Sequence, residues 1–171
     1  MKAQKLPCPV INQYLDSYSE PPKFVRIGCR GLIIKDGKIL LTHESRLGRY
    51  MTPGGGLENT ETFEECCERE LKEEAGLVVK AIKPFVTMNE YWHDTLHINN
   101  YFICEVVGSC EASLTSTEID HGVMPRWVPI DEALKIFGKY NSKTEDCMSM
   151  YYREYTVINE YLKSQQTVQY H

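Results

Sequence analysis

Hydrophobic and polar positions follow two periods along this chain, and each marks a different kind of element. Residues 24–34 read FVRIGCRGLII, which suits a strand with a bulge expected at Gly28 or Gly31. Asp36-Gly37 follows, a strong hairpin signal, and 38–42 (KILLT) reads as the partner strand. Residues 43–50 read as a polar loop carrying Arg46 and Arg49, and 51–57 (MTPGGGL) as a glycine-rich turn. Residues 78–86, 87–92, 97–107 and 126–128 are strand material, while 130–137 and 145–163 read as helices. The second of these carries Met148, Tyr151, Tyr152, Tyr155, Ile158 and Leu162 near helical spacing, a stripe that reads as core or dimer surface rather than a ligand box. Strands interrupted irregularly by helices predict an α/β fold with a mixed sheet flanked by helices. Residues 1–22 mix four prolines with polar groups and read as an N-terminal arm or short element, ahead of a single domain over 23–171.

The clearest helix lies within 62–77, TFEECCERELKEEAGL. Thr62 and Glu65 form a capping box, and Gly76 stands where a left-handed terminal residue is wanted, so the spacing predicts a helix over 63–75. At about 100° per residue, Phe63, Cys66, Cys67 and Leu71 share an inward face. Glu65, Glu68 and Lys72 fall opposite, where solvent is expected, with Glu64 at the border. Glu70 and Glu74 break the pattern, because they land in the inward sector with Glu73 at its edge. Buried, unpaired carboxylates are costly, and like charges at this spacing repel. Arg69 reaches Glu73 at i+4, but one cation does not balance three anions. Hard divalent cations prefer clustered carboxylate oxygens, so a Mg²⁺ or Mn²⁺ site is the simplest solution. The alternative is a partly exposed acidic edge with ordinary solvation.

Composition narrows the picture further. The chain has 171 residues, 42% hydrophobic and 25% charged, as expected for a globular protein. A formal net charge of −5 argues against general nucleic-acid binding. The seven cysteines form no CxxC pair; they suit a reducing compartment and read as small buried hydrophobes before nucleophiles. The N-terminus lacks an apolar signal core and no stretch is long enough to span a bilayer, so the expected location is the cytoplasm, with no membrane partner.

Gly55, Glu61, Arg69, Glu70, Leu71, Glu73, Glu74, Gly76 and Leu77 stand in the spacing G-x5-E-x7-R-E-U-x-E-E-x-G-U, where U is a bulky aliphatic. On these residues the chain resembles the Nudix (MutT-like) hydrolases. The likeness extends over roughly 24–137, through the preceding hairpin, the PGGG lead-in and WVPIDEA at 127–133. Thr52 departs from it, since an apolar residue often precedes the Pro-Gly-Gly. Many ADP-ribose hydrolases carry a proline where this chain has Trp92, and the SQPWPFPxS signature of NADH hydrolases is absent, so the subgroup stays open.

The resemblance implies an α/β/α sandwich with the box helix against a mixed sheet. It implies metal-dependent hydrolysis of a nucleoside diphosphate linked to another moiety, by water attack on phosphorus. Glu70 and Glu74 would be the principal ligands of Mg²⁺, with Mn²⁺ as substitute, helped by Glu73 and a backbone carbonyl at Gly54 or Gly55. Arg69 would orient a glutamate, and Glu61 would brace the loop. Leu71, Gly76 and Leu77 would be structural. The general base would be a box glutamate, Glu73 or Glu74, or else Glu118 in the polar loop TSTEIDHG. Arg30, Arg46 and Arg49 are candidates for phosphate, with Gly54 and Gly55 allowing close backbone approach. His93 and His97 read as structural or substrate-lining, and Tyr91, Trp92 and Tyr101 as core or base-stacking. Nudix proteins commonly dimerise, and the Tyr/Met-rich C-terminal helix is a candidate interface. Two alternatives stand beside hydrolysis of a small diphosphate. A nucleotide sensor would tend to lose box carboxylates, and an RNA 5′-end pyrophosphohydrolase would want a basic groove.

Overall fold

The computed structural model describes residues 5–168. A five-stranded mixed sheet forms one layer. Its strands are β1 (Val10–Tyr14), β2 (Phe24–Leu32), β6 (Gly54–Gly56), β7 (Leu77–Trp92) and β8 (Thr95–Ser109), in the order β1-β7-β8-β2-β6. β1 runs parallel to β7 and β2 parallel to β8, while β7–β8 and β2–β6 are antiparallel. The second sheet is built on β4 (Lys38–Glu44), which pairs with β3 (Ile34–Lys35) and β5 (Arg49–Met51) along one edge and β9 (Val123–Pro129) along the other. The helices are α1 (Phe63–Ala75), α2 (Ser116–His121), α3 (Ile130–Phe137) and α4 (Glu145–Val168). Among the described residues no helix is long and apolar enough to cross a membrane.

Alternation along β8 builds the sandwich. Phe102 and Cys104 face α1, in a core with Cys29, Phe63, Cys66, Cys67 and Leu71. Tyr101 faces the other way, in a core with Met88, Phe137, Tyr151 and Ile158. The stripe on the C-terminal helix is therefore core at Tyr151 and Ile158, with Tyr155 and Leu162 packed against it. β1 shows that the N-terminal arm adds an edge strand to the sheet. Four cysteines, Cys29, Cys66, Cys67 and Cys104, are fully or nearly buried at the α1 interface, where Cys67 and Cys104 place their sulfurs 3.6 Å apart.

Several boundaries differ from the expectation for physical reasons. β2 is not bulged at Gly28 or Gly31; its pairing with β8 is continuous from Phe24 to Leu32. A Cβ at Gly31 would meet the Leu71 methyls at 2.7 Å, and one at Gly28 would press on the Gly55 carbonyl at 3.0 Å. These glycines admit α1 and β6, and the bulges fall in β7 instead, between Val78 and Val86. The polar loop shrinks to 45–48, because His43 and Glu44 extend β4 while Arg49 and Tyr50 pair back onto it. The glycine-rich turn is a strand, since Gly54–Gly56 hydrogen-bonds along β2. Strand 78–92 is continuous, β9 is longer than 126–128, and α4 runs beyond residue 163. Asp36-Gly37 makes the hairpin turn with both residues at positive φ, 50° and 71°.

Candidate active site

Helix α1 begins and ends as its sequence dictates. Thr62 and Glu65 exchange capping hydrogen bonds, and Gly76 at φ 63° returns its N–H to the last turn. A capping box of this kind contributes about 1 kcal/mol and fixes which face meets the sheet. Cys66, Cys67 and Leu71 are fully buried on that face, and Glu70 is buried with them at 9% exposure. Glu65 and Lys72 are exposed as expected. Glu68 is not simply solvated, because it accepts the Ala81 N–H at 2.9 Å.

Arg69 is the hub of the box. Its Nε and Nη2 donate to both oxygens of Glu61, at 3.0 and 2.8 Å, and Nη2 also reaches the Gly56 carbonyl at 3.0 Å. Its Nη1 donates to Glu70 at 2.8 Å and Glu73 at 3.1 Å. One guanidinium thus serves three carboxylates, as a planar fork at Glu61 and through Nη1 alone at Glu70 and Glu73. The bidentate pair with Arg69 holds Glu61 down to about 2, against the opposing effect of burial. Glu61 also accepts the Glu58 N–H, so it braces the loop before α1.

Glu70 and Glu74 are held the other way. Burial pushes the Glu74 carboxyl up to about 8; the Gly54 N–H at 3.1 Å and the charge of Arg30 oppose this, and Glu70 and Glu118 add to it. Burial also raises Glu70, with Arg69 opposing and Glu73 and Glu118 adding to the rise. Gly55 explains how Glu70 reaches its place, because a Cβ there would fall on the Glu70 carboxylate. Gly54, at φ 151°, has the carbonyl of Cys29 and the backbone of Arg30 against it, where no side chain fits.

Glu118 sits in a short helix, not the polar loop expected. Thr115 and Glu118 form a second capping box, and the Glu118 carboxylate accepts the Thr115 N–H at 2.6 Å. The T-x-x-E spacing carried that signal. Glu118, Glu74, Glu44 and His121 line one cavity of about 280 Å³. A second cavity, of about 250 Å³, is lined by Arg30, Arg49, Met51, Trp92, His97 and Met150 among others. Arg30 donates to the Thr52 carbonyl at 2.8 Å and to Asn99 at 3.0 Å, and Arg49 pairs with Glu44. Arg46 lies apart, reaching the Asp120 carbonyl at the surface. His93 is exposed, Tyr91 stacks on Tyr14, and Tyr101 is fully buried.

The residues missed from sequence lie on α4. Arg153 donates to Glu90, Glu154 and Tyr101, at 2.9, 3.0 and 2.8 Å, all in the interior. Glu154 is fully buried, three residues after Tyr151 and four before Ile158, so the stripe itself marks it as facing inward. The Thr52 hydroxyl binds the Glu154 carboxylate at 2.9 and 3.0 Å.

The donor set for a cation is carboxylate oxygen, which suits a hard divalent ion. Among the described residues no three His, Cys, Asp or Glu side chains are already gathered as a cage. Glu70 and Glu73 are turned onto Arg69, while Glu74 is half-buried with one backbone N–H. A carboxylate pair this short of positive charge fits a cation that would draw the box acids together.

A NUDIX domain model matches residues 23–145, and the chain belongs to the Nudix family of hydrolases. The chain is 36% identical over 90 residues to the Bacillus subtilis (strain 168) protein YtkD, whose 8-oxo-dGTP diphosphatase name is provisional; the match covers 52% of this chain and 53% of that one. It is 47% identical over 53 residues to an ADP-ribose pyrophosphatase of Methanocaldococcus jannaschii, covering 29% and 31%. The chain thus spans about half the length of the first relative and a third of the second. The fold is similar to that of a NUDIX hydrolase from Nitrosomonas europaea, with TM-score 0.60 and 22% identity over 81% of this chain and 89% of that one.

Proposed function

We propose that this chain hydrolyses the phosphoanhydride bond of a nucleoside diphosphate linked to another moiety, with Mg²⁺, or Mn²⁺ in its place, held by Glu70 and Glu74. The observation that carries the reading is the shortage of positive charge around those two acids. Both are raised by burial; Glu70 shares the single guanidinium of Arg69 with Glu61 and Glu73, and Glu74 forms no ion pair among the described residues. Named pyrophosphatases among the relatives support the reaction class.

When bound, the ion would offset charge on phosphate oxygens and lower the pKa of a water for attack on phosphorus. The chain's own residues do the rest. The Gly54 N–H orients Glu74, and the Gly55 backbone leaves room for Glu70 and a carbonyl donor. Arg69 holds Glu70 and Glu73 in register and Glu61 anchors Arg69. Glu118 faces Glu74 across a shared cavity and is the candidate base, since a proton can pass to it once it leaves the Thr115 N–H. Arg30 and Arg49 line the neighbouring cavity, where their charge suits the phosphates of a small nucleotide.

The test is a Mg²⁺-supplemented screen of nucleotide sugars, dinucleoside polyphosphates, ADP-ribose, and normal and oxidised nucleoside triphosphates, read as release of a nucleoside monophosphate. No Mg²⁺-dependent product from any of them rules the reading out.

A further inference from the structure

Six residues, five from β2, β7, β8 and α4 and one from the loop before β6, close a hydrogen-bonded ring behind the glycine strand. The Thr52 hydroxyl donates to Glu154, which accepts from Arg153. Arg153 donates to Glu90, which accepts from Asn99 at 2.7 Å. Asn99 accepts from Arg30, and Arg30 donates back to the Thr52 carbonyl. Ser149 and Tyr101 satisfy further atoms of Glu90 and Arg153, at 2.6 and 2.8 Å. The ring holds two guanidiniums and two carboxylates, so its formal charge cancels.

The ring grips one short piece of backbone at two points. Thr52 is fully buried and held by its side chain from α4 and by its carbonyl from β2. Pro53, next in the chain, donates no hydrogen bond, and its carbonyl is taken by the Gly31 N–H at 3.0 Å. The following N–H, at Gly54, is the one that binds Glu74. One residue, Pro53, therefore separates the α4 anchor at Thr52 from the Gly54 N–H that orients a box acid.

We infer that Thr52 and Glu154 are positioning residues, through which helix α4 sets the Gly54 peptide that holds Glu74. A valine would fill the same space and leave the ring open at its contact with the loop. The inference rests on the proposed role of Glu74, yet its structural half can be read without any reaction.

The experiment compares wild type, Thr52→Val and Thr52→Ser as full chains. The first readout is the Gly54 amide resonance and its hydrogen exchange, by ¹H–¹⁵N NMR of the metal-free protein. The second is steady-state hydrolysis of ADP-ribose and 8-oxo-dGTP with Mg²⁺. In Thr52→Val the Gly54 amide should shift and exchange faster. Its kcat should fall on the order of 10–100-fold, as for a small misplacement of a reacting group, with KM changed little. Thr52→Ser, which keeps the hydroxyl, should restore both. Should Thr52→Val not fold, Thr52→Ala removes the hydroxyl without setting a methyl against the Glu154 carboxylate, and the same two results are expected. An unmoved Gly54 amide, or wild-type kcat per folded molecule with only a lowered Tm, overturns the inference. If wild type cleaves neither nucleotide, the proposed activity on those substrates fails while the amide result still decides the coupling.

Discussion

Two acid clusters lie on opposite sides of β2 and β6, the rear one buried and the front one partly so, and they are built to different rules. Behind the glycine strand, Glu90 and Glu154 face Arg153, and each carboxylate oxygen that the ring uses has a donor within 3.0 Å. Burial works to raise Glu90, but Arg153 and the Ser149 hydroxyl bring it below its ordinary range. In front, Glu61, Glu70 and Glu73 share Arg69, and Glu74 receives one backbone N–H. There burial wins, and Glu70 and Glu74 are both raised. The rear cluster is electrically closed and its ionised state is the stable one. The front cluster is left short of positive charge, which is destabilising by itself and useful only if a cation arrives. The comparison separates acids whose charge is matched inside the fold from acids that the proposed reaction would use.

The largest expected contrast comes from replacing one acid in each cluster. Glu74→Gln should cut Mg²⁺-dependent turnover by about 10³-fold or more, and chelation by EDTA should abolish turnover in wild type. The same variant should raise the Tm of the metal-free protein. Its sign follows from linkage. Glu74 has a folded pKa near 8, above the ordinary 4.5, so the folded state binds more protons than the unfolded one between those values. Stability from this group is full below about 4.5 and falls as pH rises toward 8. Glutamine escapes that loss, and its advantage should grow over the same window, as thermal melts at pH 5 and pH 8 would show. Near-normal turnover, or a lowered Tm at pH 8, breaks the contrast.

Glu90→Gln should do the reverse. It leaves the buried Arg153 with one carboxylate, and breaking such a pair costs roughly 3–5 kcal/mol. For a chain of this size that lowers Tm by about 6–20 °C. A calorimetric scan that finds no change would show the rear cluster to be dispensable. Arg69→Lys tests the front hub more gently. Lysine keeps the charge but loses the planar fork that serves Glu61, Glu70 and Glu73 at once. Turnover should fall on the order of 10–100-fold, and wild-type kinetics would show that charge alone suffices.

The front cluster was legible because its signals are local. Capping box, helix period and left-handed glycine fall within 62–77, and the helix wheel alone marked Glu70 and Glu74 as misplaced acids. The family of the chain followed from the same stretch. The rear cluster joins positions as far apart as Thr52 and Glu154, or Glu90 and Arg153, and no local period reports such a pairing. Glu154 lies between Tyr151 and Ile158 of the apolar stripe, yet nothing in the sequence joins it to Thr52, whose only mark is a departure before the Pro-Gly-Gly. The glycines misled for a related reason. Gly28 and Gly31 were read as bulges, since a lone strand does not reveal that Leu71 and β6 will press against it.

Glu61 gives the smallest test, and it asks whether the front cluster contains one closed pair of its own. Both Glu61 oxygens receive Arg69, and the side chain is 15% exposed. Its pKa lies near 2, below the ordinary 4.5, so here the unfolded state binds more protons between those values. The stabilisation is therefore present above about 4.5 and lost as pH falls toward 2, the opposite slope to Glu74. Glu61→Gln should remove on the order of 2 kcal/mol at pH 7 after allowance for solvent screening. It should cost far less near pH 2, where the wild-type carboxyl is itself protonated. Urea melts of both proteins at pH 7 and pH 3 would measure the difference. A gap that stays constant with pH would place the stabilising effect of Glu61 in packing rather than in its charge.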